Sequence, residues 1–286
     1  MFTPASKKEA KLRLALVGPS GGGKTWTGLA LATALGGKVA VVDTENGSAS
    51  KYADRFVFDT VKLTPPFHPS KFIEAITTAQ MLGYRTIILD SLSAMWTGTG
   101  GIVDIVDDIA TMSKSQNSFF AWGEGTNLYN ELINAIVQSD IHVIVTMRSK
   151  QEYVLEKNEK GKVSPTRVGT RPIMRKDFEY EFDMVLTMDL QNRATVTKTR
   201  CDELPMGAVI PKPGAGLGRT LMTWLVGAEW IEALSEAAVK YAAETLGKGK
   251  PEAWGIIDRA IKAEELSGFL PKDEFKGWVE LLVGVK

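Results

Sequence analysis

The sequence predicts an α/β fold with a mainly parallel central sheet flanked by helices, followed by a small helical region toward the C-terminal end. Three observations carry this expectation. Short runs rich in apolar and β-branched residues recur at 12–17, 38–43, 85–90 and 141–147. Helical stretches separate these runs, and the runs are apolar almost throughout, as in a parallel sheet covered on both faces. A glycine-rich loop joins the first run to the first helical stretch.

A polar tail (1–10) precedes the first strand, which stops at Gly18. Residues 24–36, rich in Leu and Ala, read as a helix closed by Gly36 and Gly37. Residues 38–43 form the second expected strand and 55–62 the third. Ser70 reads as the N-cap of a helix running to about Leu82, with Gly83 beyond it. The strands at 85–90 and 141–147 complete the parallel set. After residue 147 the pattern changes: 153–156 and 162–168 flank a polar turn at 158–162 and read as a hairpin. Residues 183–188 and 194–198 read as paired edge strands turning at Asn192. The stretch 211–218 (PKPGAGLG) reads as a linker. The expected organisation is therefore a core at 11–210, a linker at 211–228 and a helical domain at 229–286. That domain is expected to hold three short helices, broken at 247–251 and 268–271.

Composition narrows the function classes. At 286 residues, 44% hydrophobic and 24% charged, the chain is of globular type. It is long enough to bury a core without a disulfide or metal staple. Cys201 is the single cysteine, which excludes an internal disulfide and points to a reducing compartment. His68 and His142 lie far apart with no cysteine nearby, which argues against a zinc site. The 34 basic and 34 acidic residues balance, which excludes a bulk polycation. Locally they separate: 100–140 carries six acids against one base, and 148–176 nine bases against three acids. Such patches permit a polyanionic partner. No apolar run approaches the ~18 residues of a membrane helix, and the N-terminus has no signal-peptide core. The expectation is a cytoplasmic protein with no membrane partner.

The strongest chemical signal is the run Gly18, Pro19, Ser20, Gly21, Gly22, Gly23, Lys24, Thr25, which fits G-x-x-x-x-G-K-[ST] between a strand and a helix. Glycines let the backbone wrap phosphate oxygens with inward N–H groups, and the helix N-terminus adds its positive dipole end. Lys24 is expected to reach the β- and γ-phosphates, and the Thr25 hydroxyl to meet Mg²⁺. Trp26 follows directly and is counted with the cradle. ATP and Mg²⁺ are thus the expected cofactors. Asp90 ends an apolar strand, where a carboxylate faces the ligand crevice and can hold the metal through water. Ser91 follows it, so no glutamate adjoins this aspartate and a hydrolytic base must come from elsewhere. Glu45, at the end of the strand after the P-loop helix, is the candidate; its other reading is a surface-loop acid.

These residues carry a resemblance. A P-loop, an acid-Thr-Glu strand end (Asp43, Thr44, Glu45) and LDS at the metal strand resemble the RecA-like ATPases. The segments LDSLSAMW (89–96), NSFFAW (117–122), VTMRSKQEYVLEKNEKGK (145–162) and FEYEFDMVLTMD (178–189) are similar to a phage and prophage branch found among recombination genes. The resemblance spans roughly 11–203. It implies a RecA-like P-loop core, catalysis by Glu45 and ATP sites between neighbouring subunits of a ring or filament. It also implies a basic pair two residues apart on a late strand that reaches a neighbour's ATP, and Lys198 and Arg200 occupy the matching place. A one-residue spacer would put both on one strand face; the alternative is a charged edge that prevents aggregation. Where RecA proper has a γ-phosphate-sensing glutamine, this chain has Arg148, a substitute candidate.

Arg148, Lys150, Lys157, Lys160, Lys162 and Arg167 are the candidate DNA contacts, with Tyr153 available for stacking. A solvated hairpin is the other reading of the same residues. For Trp122 the preferred reading is core packing, and the glycine-rich 97–101 stretch is expected to order on binding. The expected function is an ATPase, DNA-stimulated, that binds single-stranded DNA and promotes recombination in the cytoplasm of a bacterial host. A single-stranded-DNA-binding protein is a further expected partner. The alternatives are a helicase-like or clamp-type motor, and a nucleotide-regulated binding module with little turnover.

Overall fold

The computed structural model describes residues 10–112, 118–157, 163–226, 230–232, 235–263 and 269–284. The polar tail to residue 9 and the expected turn at 158–162 lie outside the described residues.

In chain order the core runs β1 (Arg13–Gly18), α1 (Lys24–Leu35), β2 (Val39–Asp43), β3 (Asp59–Lys62), α2 (Pro69–Met81) and β4 (Thr86–Asp90). It continues with α3 (Ser93–Thr97), α4 (Ile102–Met112), α5 (Ser118–Gln138), β5 (His142–Lys157), β6 (Val163–Pro172), β7 (Met184–Met188), β8 (Arg193–Lys198), β9 (Val209–Pro211) and α6 (Ala215–Val226). The sheet order is β3-β2-β4-β5-β1-β7-β8-β9, with β6 paired to β5. From β3 through β7 the path is parallel. Among the described residues, β6 joins β5, β8 joins β7 and β9 joins β8 antiparallel. The P-loop strand β1 is separated from β4 by β5.

Strand alternation builds two layers, since successive side chains face opposite sides of a sheet. Ala15, Val17, Ile87, Leu89, Val143 and Val145 face α2, α4 and α5, where Phe72, Ile76, Val106, Leu132 and Ile136 close one core. Leu14, Leu16, Val41, Ile88, Ile144 and Leu186 face the other way, onto Leu29 and Leu35 of α1 and Leu217, Leu221 and Leu225 of α6.

Several local expectations are corrected. The third strand is only Asp59–Lys62, because a 3-10 turn (Ala49–Tyr52) and the loop after it occupy the residues before it. The N-cap of α2 is His68, not Ser70: Pro69 presets the first helical turn, and His68 Nδ1 accepts from Ser70 N. The stretch read as a linker starts a helix at Ala215, whose Leu217, Leu221 and Leu225 recur at helical spacing and are buried. Its glycine is needed for contact, since a Cβ on Gly218 would stand 2.4 Å from Ala34 Cβ. Strand β8 is not an edge, for β9 covers it. Strand β5 runs sixteen residues, far past Met147, so the basic hairpin continues a central strand.

Beyond the core, α7 (Glu236–Leu246), α8 (Lys250–Lys262) and α9 (Lys272–Leu282) pack around Val239, Ala242, Ile257, Phe275 and Val279. Gly247 caps α7 in the left-handed conformation at φ 63. An antiparallel pair absent from the sequence reading, β10 (Trp230–Glu232) with β11 (Phe269–Pro271), accompanies them.

At the amino end of the parallel strands the polar groups are paired off inside the fold. The buried Arg13 guanidinium donates to the carbonyls of Leu12, Val137, Ser139 and Ile141, fastening the end of α5 to β1 and β5. His142 is 3% exposed, and its Nδ1 accepts from Leu12 N at 2.9 Å. Burial, reinforced by the cationic Arg85, Lys11 and Arg13, pushes its pKa down to about 3. The folded chain therefore keeps a neutral imidazole where the unfolded chain, near 6.5, takes up a proton. Stability supplied by His142 is complete above pH 6.5 and is lost as pH falls toward 3. The expected loss between pH 7 and pH 5 is about 2 kcal/mol. Urea denaturation at both pH values should show that loss in the wild type and a flatter pH dependence in His142→Asn.

Candidate active site

The loop leaving β1 is shaped by two glycines that no larger residue can replace. A Cβ on Gly18 would lie 2.7 Å from Met188 O, inside the β7 backbone. Gly23 precedes α1 in the left-handed region at φ 82, and its Cβ would meet Asn192 Oδ1 at 2.7 Å. Helix α1 has no acidic residue in its first turn and no side-chain cap, so its first N–H groups are available to an anion. The Lys24 ammonium folds over this loop, donating to the carbonyls of Gly18 (3.0 Å) and Pro19 (2.8 Å). Burial pulls its pKa below the ordinary lysine value, while the Asp90 and Glu45 carboxylates oppose the shift.

Asp90 closes β4 with its side chain buried. Oδ2 accepts from Thr25 Oγ1 at 2.6 Å, and Oδ1 accepts from the Thr146 hydroxyl of β5. Burial raises its pKa, against the two threonine hydroxyls that stabilise the charged form. Next to it Asp43 holds a turn: Oδ1 accepts from Glu45 N (2.6 Å) and Oδ2 from Ala49 N (2.9 Å). Thr44 ties this turn to β4, donating its N–H to Asp90 O at 2.8 Å and accepting from Ser91 N at 2.9 Å. Glu45 is thereby brought beside the P-loop, where Oε1 receives Nε and Nη2 of Arg148, both at 2.9 Å. Arg148 stands opposite Gly18 across the β1–β5 pairing.

Lys24, Thr25, Glu45, Asp90 and Arg148 line one cleft of about 740 Å³ with Trp26, Tyr52, Asn192, Lys212 and Pro213. Trp26 is 36% exposed and packs edge-on against Phe56. The cleft joins Ser20, Gly21, Gly23, Lys24, Thr25, Trp26, Glu45 and Asp90, as expected from the sequence. The residues present fit Mg²⁺–ATP. Thr25 and Asp90 offer two adjacent hard oxygens for the metal, and the glycine loop, Lys24 and the start of α1 offer donors for phosphates. Sequence reading missed Thr146, hidden in an apolar run, and Lys212, hidden in the supposed linker. It also missed Tyr52, and it noted Asn192 only as a turn; that residue and Lys212 both adopt positive φ, and Lys212 N donates to Asn192 O.

Other expectations change. Arg148, counted among the DNA contacts, lies in this cleft on Glu45. Lys150 is exposed on the hairpin. Lys160 and Lys162, and the side chains of Lys157, Arg167 and Tyr153, lie outside the described residues. Lys198 and Arg200 do not share a strand face, because β8 ends at Lys198. Lys198 pairs in register with Val185, toward the sheet end opposite the P-loop. Its ammonium donates to the carbonyls of Glu179, Tyr180 and Phe182 at the end of a 3-10 turn. Arg200 lies past the strand on Asp183, at 3.2 Å.

Residues 10–207 match the family model described as an AAA domain, over more than two thirds of the chain. The chain belongs to that family. No curated protein matches the sequence. Among solved structures, a KaiC-like protein from the hyperthermophilic archaeon Pyrococcus horikoshii aligns at 14% identity. The alignment covers 70% of this chain and 87% of that one, with a TM-score of 0.39. The chain thus carries a P-loop domain of the AAA type.

Replacing Lys24 removes the buried cation beside the phosphate cradle. Charge-assisted hydrogen bonds contribute about 1.5–3 kcal/mol, so Lys24→Ala should weaken ATP binding about 10- to 100-fold in a fluorescent-nucleotide titration. An unchanged affinity would remove the P-loop from the nucleotide site.

Proposed function

We propose that this chain is a Mg²⁺-dependent ATPase of phage recombination type that binds single-stranded DNA and promotes annealing or strand exchange. The observation that carries the reading is the course of β5. One unbroken strand lies between the P-loop strand and the Asp90 strand, holds Arg148 on Glu45, and runs on into the basic hairpin.

In this reading the P-loop amides and Lys24 hold the phosphates, and Thr25 and Asp90 hold Mg²⁺, which draws charge from the transferring phosphoryl group. Glu45 orients the attacking water; the turn on Asp43 sets its backbone and Arg148 sets its carboxylate. Orientation matters more than proton removal in phosphoryl transfer. The aromatic lining of Trp26 and Tyr52 suits the adenine base.

The reading includes self-association into a ring or filament with nucleotide sites shared between subunits. Arg200, 58% exposed in its side chain, is then the residue offered to a neighbour's nucleotide, and Lys198 anchors the strand end that carries it.

Glu45→Gln keeps the shape of the side chain and loses its charge. ATP binding should persist while turnover falls at least ~100-fold, the scale of a lost positioned group. Near-wild-type turnover would assign water orientation elsewhere. In the same assay single-stranded DNA should raise wild-type turnover more than duplex does, and no rise with either would overturn the DNA part of the reading.

A further inference from the structure

A second cleft lies on the far side of Arg148. It has a volume of about 420 Å³, within the ~300–1,000 Å³ of small-ligand sites, and lies between α3, α5 and the end of the hairpin. Its aromatic side is Trp96 and Trp122, and its polar side is Lys150, Arg171, Arg175 and Lys176, with no carboxylate in the lining.

Trp96 is held edge-on by Tyr129 at 6.1 Å between centroids and lies 5.9 Å from Trp122 at 36°. That tilt leaves no slot between the two indoles, so the surface on offer is the outer face of Trp122. Trp122 is 39% exposed, which corrects the expectation that it is core. Arg175 is fixed over the Tyr129 ring at 5.0 Å. Lys150 and Arg171 stand directly opposite one another in the β5–β6 register. Like charges in that relation repel, and among the described residues no carboxylate pairs with either. An anion between them relieves the repulsion. An exposed indole beside a cation pair needing an anion matches a base joined to a phosphate.

We propose that this cleft binds a nucleotide unit of a DNA single strand, its base stacked on Trp122 and its phosphate between Lys150 and Arg171. The inference rests on the single-strand reading above and adds the place where the strand is gripped. It also supplies a connection to the ATP site. The Ser93 hydroxyl accepts from Arg148 N and donates to Ile173 O, both at 3.0 Å, and Ile173 lines the cleft. Ile173 N also donates directly to Arg148 O at 2.7 Å, so the cleft lining adjoins the residue that holds Glu45.

The test uses the full chain and a fluorescein-labelled (dT)20 strand read by anisotropy. A second strand carrying 5-iodouracil is cross-linked by light, and the adducts are mapped by mass spectrometry. Cross-links should fall on the peptides holding Trp96 or Trp122. Trp122→Leu, which keeps apolar cover over Trp96, should weaken strand binding at least about fivefold. Lys150→Gln with Arg171→Gln should lower the log–log salt slope by about 1.4, two single-strand phosphate contacts. Wild-type binding with cross-links elsewhere and both variants unchanged would overturn the cleft and leave the single-strand reading standing. Displacement of the strand by dTMP as effectively as by unlabelled (dT)20, at equal nucleotide concentration, would assign the cleft to free nucleotides and overturn the proposal. A wild type that fails to bind (dT)20 overturns both.

Discussion

One buried carboxylate organises this molecule. Asp90 lies where β4, β5, β2 and α1 converge, and a charge removed from water there is tolerated only when its oxygens are paired. Thr25 from the P-loop helix takes one oxygen and Thr146 from β5 the other. Its main-chain carbonyl accepts from Thr44 at the end of β2. Three elements are thereby tied to one residue, and the same pairing aims two hard oxygens at the mouth of the P-loop. The requirement for satisfaction inside the fold and the requirement for a metal site fall on the same atoms.

From that centre the geometry extends outward along β5. Its first half is a buried sheet strand, its middle residue Arg148 holds Glu45, and its second half pairs with β6 as a hairpin. Strands in a packed sheet move as units, because interiors are dense and transmit displacement. The Ser93 hydroxyl joins Arg148 N to Ile173 O, so the residue that holds Glu45 and the lining of the Trp122 cleft share a hydrogen-bonded group. Lys198 and Arg200 belong to the opposite end of the sheet, where Lys198 satisfies carbonyls of its own subunit.

What was legible in the sequence follows from locality. The P-loop is a contiguous motif, and buried parallel strands read as apolar runs, so β1, β2, β4, the P-loop and Asp90 were visible. Features that depend on distant partners were not. β5 continues past Met147 in polar residues, whose strand character comes from pairing with β6 rather than from an apolar pattern. Glycine and proline at 211–218 signalled a break, yet Gly218 serves the close approach of α6 to α1. The spacing of Lys198 and Arg200 fits one strand face, but the strand ends between them. Trp122 has core chemistry, and only packing shows that it is half-exposed. Arg148 read both as a substitute for a γ-phosphate sensor and as a DNA contact, and its pairing with Glu45 shows only once β2 and β5 are brought together.

The central claim is that Asp90 and Thr25 form a metal site that serves bound ATP. Calorimetric titration of ATP in excess Mg²⁺ and in EDTA, for the wild type and for Asp90→Asn, tests it directly. The account predicts that the wild type binds ATP at least about tenfold more tightly with Mg²⁺, on the scale of one charge-assisted contact. It predicts that Asp90→Asn, while remaining folded, loses that difference. Equal affinities in Mg²⁺ and EDTA for the wild type, or an undiminished Mg²⁺ effect in Asp90→Asn, would contradict it.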